Sequence, residues 1–179
     1  MAENPWELPA KEPTDYFDVK AGRGREFLVR LPDGADPVKA IAKFAEDKKI
    51  RFGKVHAAWM GAFRPARYLV WTPDTANPDN WHHESPAVVE NLSMLLSCAG
   101  MIGVKKNFKG DEESFVALHF VSGGAWDTAT FGGHLFEGTK VAGVMAFYVT
   151  EIIDIDVIPP SKIEGMNEEY FPENWYQEI

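Results

Sequence analysis

A single cysteine, Cys98, leaves this chain of 179 residues without the means to close an internal disulfide. It sits in the apolar run SMLLSCAGMIG with no basic neighbour to stabilise a thiolate, so a buried small hydrophobe is expected rather than a nucleophile. No run reaches the roughly 18 apolar residues of a membrane span, and the opening MAENPWELPAKEP has neither the basic nor the apolar region of a secretory leader. The expectation is a cytoplasmic protein with no membrane association. Basic residues are also scarce: 18 Lys and Arg face 27 Asp and Glu, a net charge of −9 that repels a polyanion at long range. The two short basic clusters, Lys48, Lys49 and Arg51 and then Lys105, Lys106 and Lys109, read as solvated charges at a helix end and in a loop. Nucleic acid is therefore not the expected partner. A P-loop is absent, as is a G-x-G-x-x-G following a strand, which argues against nucleotide-driven chemistry and leaves simple acid/base chemistry open.

What is present is enough apolar sequence for one domain. Apolar residues make up 45% and charged residues 25%, and a chain of this size buries roughly two thirds of its unfolded surface. A metal would then serve function rather than folding. Residues 1–25 read as an N-terminal arm, anchored by Trp6, Tyr16 and Phe17, residues 26–158 as the domain, and residues 159–179 as an acidic, aromatic tail that docks on a neighbouring surface.

Within the domain, EFLVRL (26–31) alternates as a strand and stops at the turn PDGADP. Asp36 then caps a helix with Pro37 as its first residue and an apolar stripe through Val38, Ile41, Ala42, Phe44 and Ala45. KVHAAWMGAFRPARYLVW (54–71) reads as one or two strands broken at Gly61 and Pro65, and 72–86 as a polar loop. VVENLSMLLSCAGMIG (88–103) is a strand or a buried helix by its apolarity, and its Gly-rich end favours the strand. SFVALHFVSG (114–123) is a strand, and 139–158 supplies one long strand or two. This order predicts an α+β domain with a mostly antiparallel sheet and one main helix on one face. The other face then needs a partner, which oligomerisation supplies.

Taken in order, EFLVRLPDG, DPVKAIAKFAEDKKI, WMGAF, VALHFVSGG and FGGHLFEGTKV resemble the plants-and-prokaryotes conserved domain family (PPC, also PCC), from Glu26 to Ile158. The resemblance implies a compact α+β subunit that assembles as a homotrimer with its histidines near subunit contacts. Plant members of the family carry an AT-hook that binds DNA; here Gly22-Arg23-Gly24-Arg25 is followed by Glu26 and no hook core appears. Family members often carry His-x-His on the late histidine strand, whereas this chain has Ala117 before His119. That departure removes one donor from any metal site of the family's composition.

His119 and His134 are the candidate chemical centre, on strands expected to be neighbours. A divalent metal such as zinc needs at least three ligands, so a third would come from His56, from Glu137, or from His82 or His83 of a neighbour. Without metal, Gly132 and Gly133 expose backbone N–H donors beside His134, and Arg64 and Arg67 supply positive charge for an anion. His119 or His134 would then act as general acid or base with Glu137 or Glu90 as partner, in lyase, isomerase or hydrolase chemistry on a small carboxylate. The expected ligand is a small anion in a histidine-lined cleft near subunit contacts. The alternatives are a DNA-associated regulatory module and a non-catalytic trimeric scaffold. A purely architectural reading is also available: GGH marks a bulge, and alternation puts Phe115, Ala117, His119 and Val121 on one face, pointing His119 into an apolar layer.

Overall fold

A computed structural model of the chain describes residues 20–59, 61–73, 81–83, 86–106, 111–124 and 129–157, with three short strands beyond. The one helix among the described residues, α1 (Pro37–Lys48), follows β1 (Gly22–Leu31). After it come β2 (Gly53–Trp59), β3 (Ala62–Phe63), β4 (Ala66–Leu69), β5 (Trp71–Pro73), β6 (Trp81–His83) and β7 (Ala87–Val89). The two longest strands, β8 (Ser93–Lys106) and β9 (Glu112–Gly124), precede β10 (Phe131–Leu135), β11 (Val141–Ala142) and β12 (Met145–Ile153). The chain closes with β13 (Ile155–Val157), β14 (Ser161–Lys162), β15 (Glu169–Tyr170) and β16 (Tyr176–Glu178).

The helix forms where the sequence signals it. The Asp36 carboxylate accepts from the Lys39 N–H at 3.2 Å, Pro37 occupies the first turn, and Lys49 ends the helix in the left-handed region with φ of 55°. Ile41 and Ala45 are fully buried, and the helix packs chiefly on β9. No described helix is long and apolar enough to cross a membrane.

Ten strands make one antiparallel sheet in the order β1-β12-β2-β8-β9-β10-β4-β7, with β3 and β11 paired off that path. The side chains beneath α1 form the core, among them Val55, Ile102, Leu118, Leu135, Phe147 and Val149. At its far end Phe120 meets Phe63 and Tyr68 edge-on, with ring centroids 5.6 Å apart in both contacts. Cys98 lies in this core, and burial pushes its thiol up to about 12.

Several expectations change. The first strand starts at Gly22 rather than Glu26, because a register shift between Arg23 and Glu26 lets the glycine-containing segment keep pairing with β12. Within 88–103 the strand reading holds for 93–103, where β8 is held on both sides by β2 and β9, while residues 90–92 separate it from β7. The loop at 72–86 contains a two-stranded pairing of β5 with β6. The late segment divides into β11, β12 and β13, with Asp154 at φ of 64° turning the chain between the last two. Trp6, Tyr16 and Phe17 lie outside the described residues.

The largest correction concerns His119. Phe115, Ala117, His119 and Val121 do share a face, but it is the face away from the helix, and His119 is exposed there. The core takes the alternate set, Val116, Leu118, Phe120 and Ser122. Both sets are largely apolar, so alternation alone could not tell which one α1 covers. The uncovered face keeps Leu28, Tyr148 and Val121 exposed at 63%, 49% and 40%.

Candidate functional site

The sheet register brings the histidines into one line. His134 pairs with His119, His119 with Ala99, Ala99 with His56, and His56 with Tyr148. Directly paired residues on neighbouring strands share a face, so these five form a row across the uncovered side. His119 and His134 meet edge-on with ring centroids 5.0 Å apart. His56 and Tyr148 form a second ring contact at 5.3 Å. His56 therefore belongs to the row but stands two strands from His119, about 9.6 Å at usual spacing. No three described His, Cys, Asp or Glu residues come together as a metal-holding group.

The two glycines before His134 have a packing cause. A Cβ on Gly132 would lie 2.1 Å from the Phe120 carbonyl oxygen, and one on Gly133 would lie 2.5 Å from that of Leu69. The flanking strands β9 and β4 thus approach β10 more closely than any side chain permits. That approach sets His134 directly opposite both His119 and Leu69.

The turn after β10 is tied to the helix start. The second carboxylate oxygen of Asp36 accepts from Gly138 N–H at 2.7 Å, so the residue that caps α1 also holds this turn. Buried Thr139 accepts from the Arg67 N–H at 2.9 Å, and its hydroxyl reaches the carbonyl oxygens of Phe136 (2.9 Å) and Arg67 (3.0 Å). Arg67 stands two residues along β4 from Leu69, with its guanidinium 5.6 Å from the Phe136 ring centroid. Arg64 is exposed and precedes Pro65 through a cis peptide bond. Glu137 turns to the helix and pairs with Lys39 at 3.1 Å. Glu90 is exposed beyond the end of β7. His82 and His83 lie on β6, where only the backbone is described.

Sequence reasoning missed Tyr148 and Ala99, which complete the histidine row. Neither carries a local signal, since only the strand register places them beside His56 and His119. It also missed a groove of about 500 Å³ between α1 and β9, lined by Val38, Lys39, Ala42, Val116, Leu135 and Glu137 among others.

A family model described as the Plants and Prokaryotes Conserved (PCC) domain matches residues 19–153. The chain belongs to this family. Among solved structures, a plant- and prokaryote-conserved protein of Pyrococcus horikoshii is similar to the PCC chain at 19% identity and a TM-score of 0.65, with 83% of this chain and 92% of that one covered. A metal-containing protein of Archaeoglobus fulgidus is similar at 22% identity and a TM-score of 0.61, covering 92% of this chain and 98% of that one. A candidate DNA-binding protein of Bacteroides thetaiotaomicron gives 18% identity and a TM-score of 0.56 over 73% and 83% of the two chains. At these identities the likeness shows the fold. No curated protein matches the chain.

Proposed function

We propose that the PCC chain binds a small anionic molecule, a carboxylate in the first instance, at the His119–His134 pair, in a homotrimer whose contacts lie near this face. The observation that carries the reading is the imidazole pair itself: two rings 5.0 Å apart, one exposed and one half-buried, on a sheet face that the helix leaves open. A histidine pair donates hydrogen bonds to an anion and offers groups for proton transfer, which suits acid/base chemistry on a carboxylate. Arg67, two residues along β4 from the Leu69 that pairs with His134, adds fixed positive charge. Glu137 pairs with Lys39 at 3.1 Å on the helix side, so the proposal gives it no role at this pair. In this reading Gly132 and Gly133 serve the close packing of the strands beside the pair.

A divalent metal such as zinc is the second reading, favoured by the likeness to the metal-containing Archaeoglobus protein. The described donors of one subunit do not fit it. Two imidazoles fall short of the three ligands such a site needs, and Ala117 supplies none. A DNA-associated role follows only from the Bacteroides likeness, and the net charge of −9 opposes it.

The test compares untagged protein with His134→Ala by light scattering, metal analysis and thermal shift against acetate, succinate, benzoate and inorganic phosphate. The proposal expects a trimer mass in both proteins, a carboxylate-induced rise in melting temperature for the parent, and no rise for the variant. Loss of the assembly in the variant would make the pair architectural. Stoichiometric metal in the parent would move the reading to the second one. A gel shift that weakens steeply with salt would favour the third.

A further inference from the structure

The row of side chains on the open face is not uniform: it has a dip in the middle. Ala99, exposed on β8, stands between His56 on β2 and His119 on β9. Each wall is backed by a second ring, Tyr148 behind His56 at 5.3 Å and His134 behind His119 at 5.0 Å. We infer that this trench over Ala99 is a binding site for a small aromatic or conjugated carboxylate, gripped between His56 and His119.

The dimensions fit one planar layer. His56 and His119 lie on strands two spacings apart, about 9.6 Å. A planar group sandwiched between two rings needs roughly 7 Å, two contacts of about 3.5 Å. The remaining width lets either imidazole swing its N–H toward a carboxylate oxygen. The floor is the Ala99 methyl, with Met101 next along β8 on the same face, so the body of the ligand meets apolar surface. Aromatic walls and an apolar floor favour a flat conjugated body over an aliphatic one.

The imidazole N–H groups of His56 and His119, donors on the trench walls, select an acceptor-rich group such as a carboxylate. One step to either side of the row on β2, β8, β9, β10 and β12, the same-face positions carry a single charged side chain, Lys54, exposed beside His56. The nearest same-face carboxylate, Glu26 on β1, accepts from the Thr150 hydroxyl at 3.1 Å and is drawn to Arg23 and Lys54, one strand beyond Tyr148.

This inference rests on the anion-binding reading above and extends it to His56, Ala99 and Tyr148. Its test follows the imidazole resonances of parent, Ala99→Leu and His56→Ala proteins by NMR during titration with benzoate, succinate and acetate. Benzoate should shift His56 and His119 together with one dissociation constant and bind more tightly than acetate. Ala99→Leu, which fills the trench at an exposed strand position, should weaken benzoate by about tenfold or more with assembly mass and melting temperature kept; Ala99→Val serves if the leucine variant fails to fold. His56→Ala should weaken it similarly. If benzoate shifts only His119 and His134, and Ala99→Leu binds as the parent does, the trench is refuted and the pair alone is the anion site. If no probe shifts any of these histidines, both readings fall.

Discussion

Gly132→Ala separates two explanations of the Gly-Gly-His sequence. If the glycines admit a ligand, alanine should harm binding and spare stability. If they admit neighbouring strands, the order reverses. The new Cβ would lie 2.1 Å from the Phe120 carbonyl oxygen and 3.2 Å from the Val121 Cα, both backbone atoms that no rotamer can move. Restoring ordinary contact requires β9 and β10 to part by roughly 1 Å, in a ladder that joins only Phe131–His134 to His119–Ser122. Strained packing of about 2 kcal/mol and a weakened hydrogen bond of about 1 kcal/mol give a loss near 3 kcal/mol. For a domain of this size that lowers the melting temperature by about 6–12 °C. Gly34→Ala is the control: its φ is 76° and nothing lies within 4 Å of an added Cβ, so only backbone strain of about 1 kcal/mol is expected. Circular-dichroism melts of both variants decide the matter. A Gly132→Ala protein that melts within about 2 °C of the parent, yet no longer responds to carboxylates, would refute the packing argument.

Asp36→Ala removes both the helix cap and the acceptor for Gly138 N–H, and should cost about 2 kcal/mol in urea unfolding; Asp36→Asn should recover part of it through the cap. Arg25 forms two side-chain hydrogen bonds to Glu151, at 2.7 and 2.8 Å, and these hold the Glu151 carboxyl below its ordinary range. Because the folded value is depressed, that contribution is fully present above the ordinary carboxylate pKa of about 4.3 and is lost as pH falls through the folded value. Arg25→Met should therefore lower stability modestly at pH 7, Arg25 being half exposed, and the gap to the parent should narrow as pH falls below the ordinary carboxylate range. Cys98, its thiol pushed up to about 12 by burial, should react with a thiol reagent at pH 8 only at the rate of unfolding; fast labelling of the native protein would contradict its place in the core.

Much of the fold was legible because its signals are local. Asp36 before Pro37 marks a helix start through the chemistry of three or four consecutive residues, and the structure puts the cap there. The alternation in 26–31 and 114–123 marks strands for the same reason, and the ordered motifs identified the family. The site was legible only in part. His119 and His134 stood out by residue type and come together, but Glu137 is drawn to Lys39 on the helix and His56 stands two strands away. Neither fact has a local signal, since each depends on which segment packs beside which.

The sequence by itself determined the helix, the strands at 26–31 and 114–123, the family, the burial of Cys98 and the acidic charge, all properties of composition or of near neighbours along the chain. Tertiary structure alone decided which side of β9 faces water and what stands beside His119. β9 is apolar on both sides, so its two faces become distinct only when α1 settles on one of them. The row from Tyr148 to His134 spans five strands whose partners are far apart in sequence, and register, not proximity along the chain, aligns them.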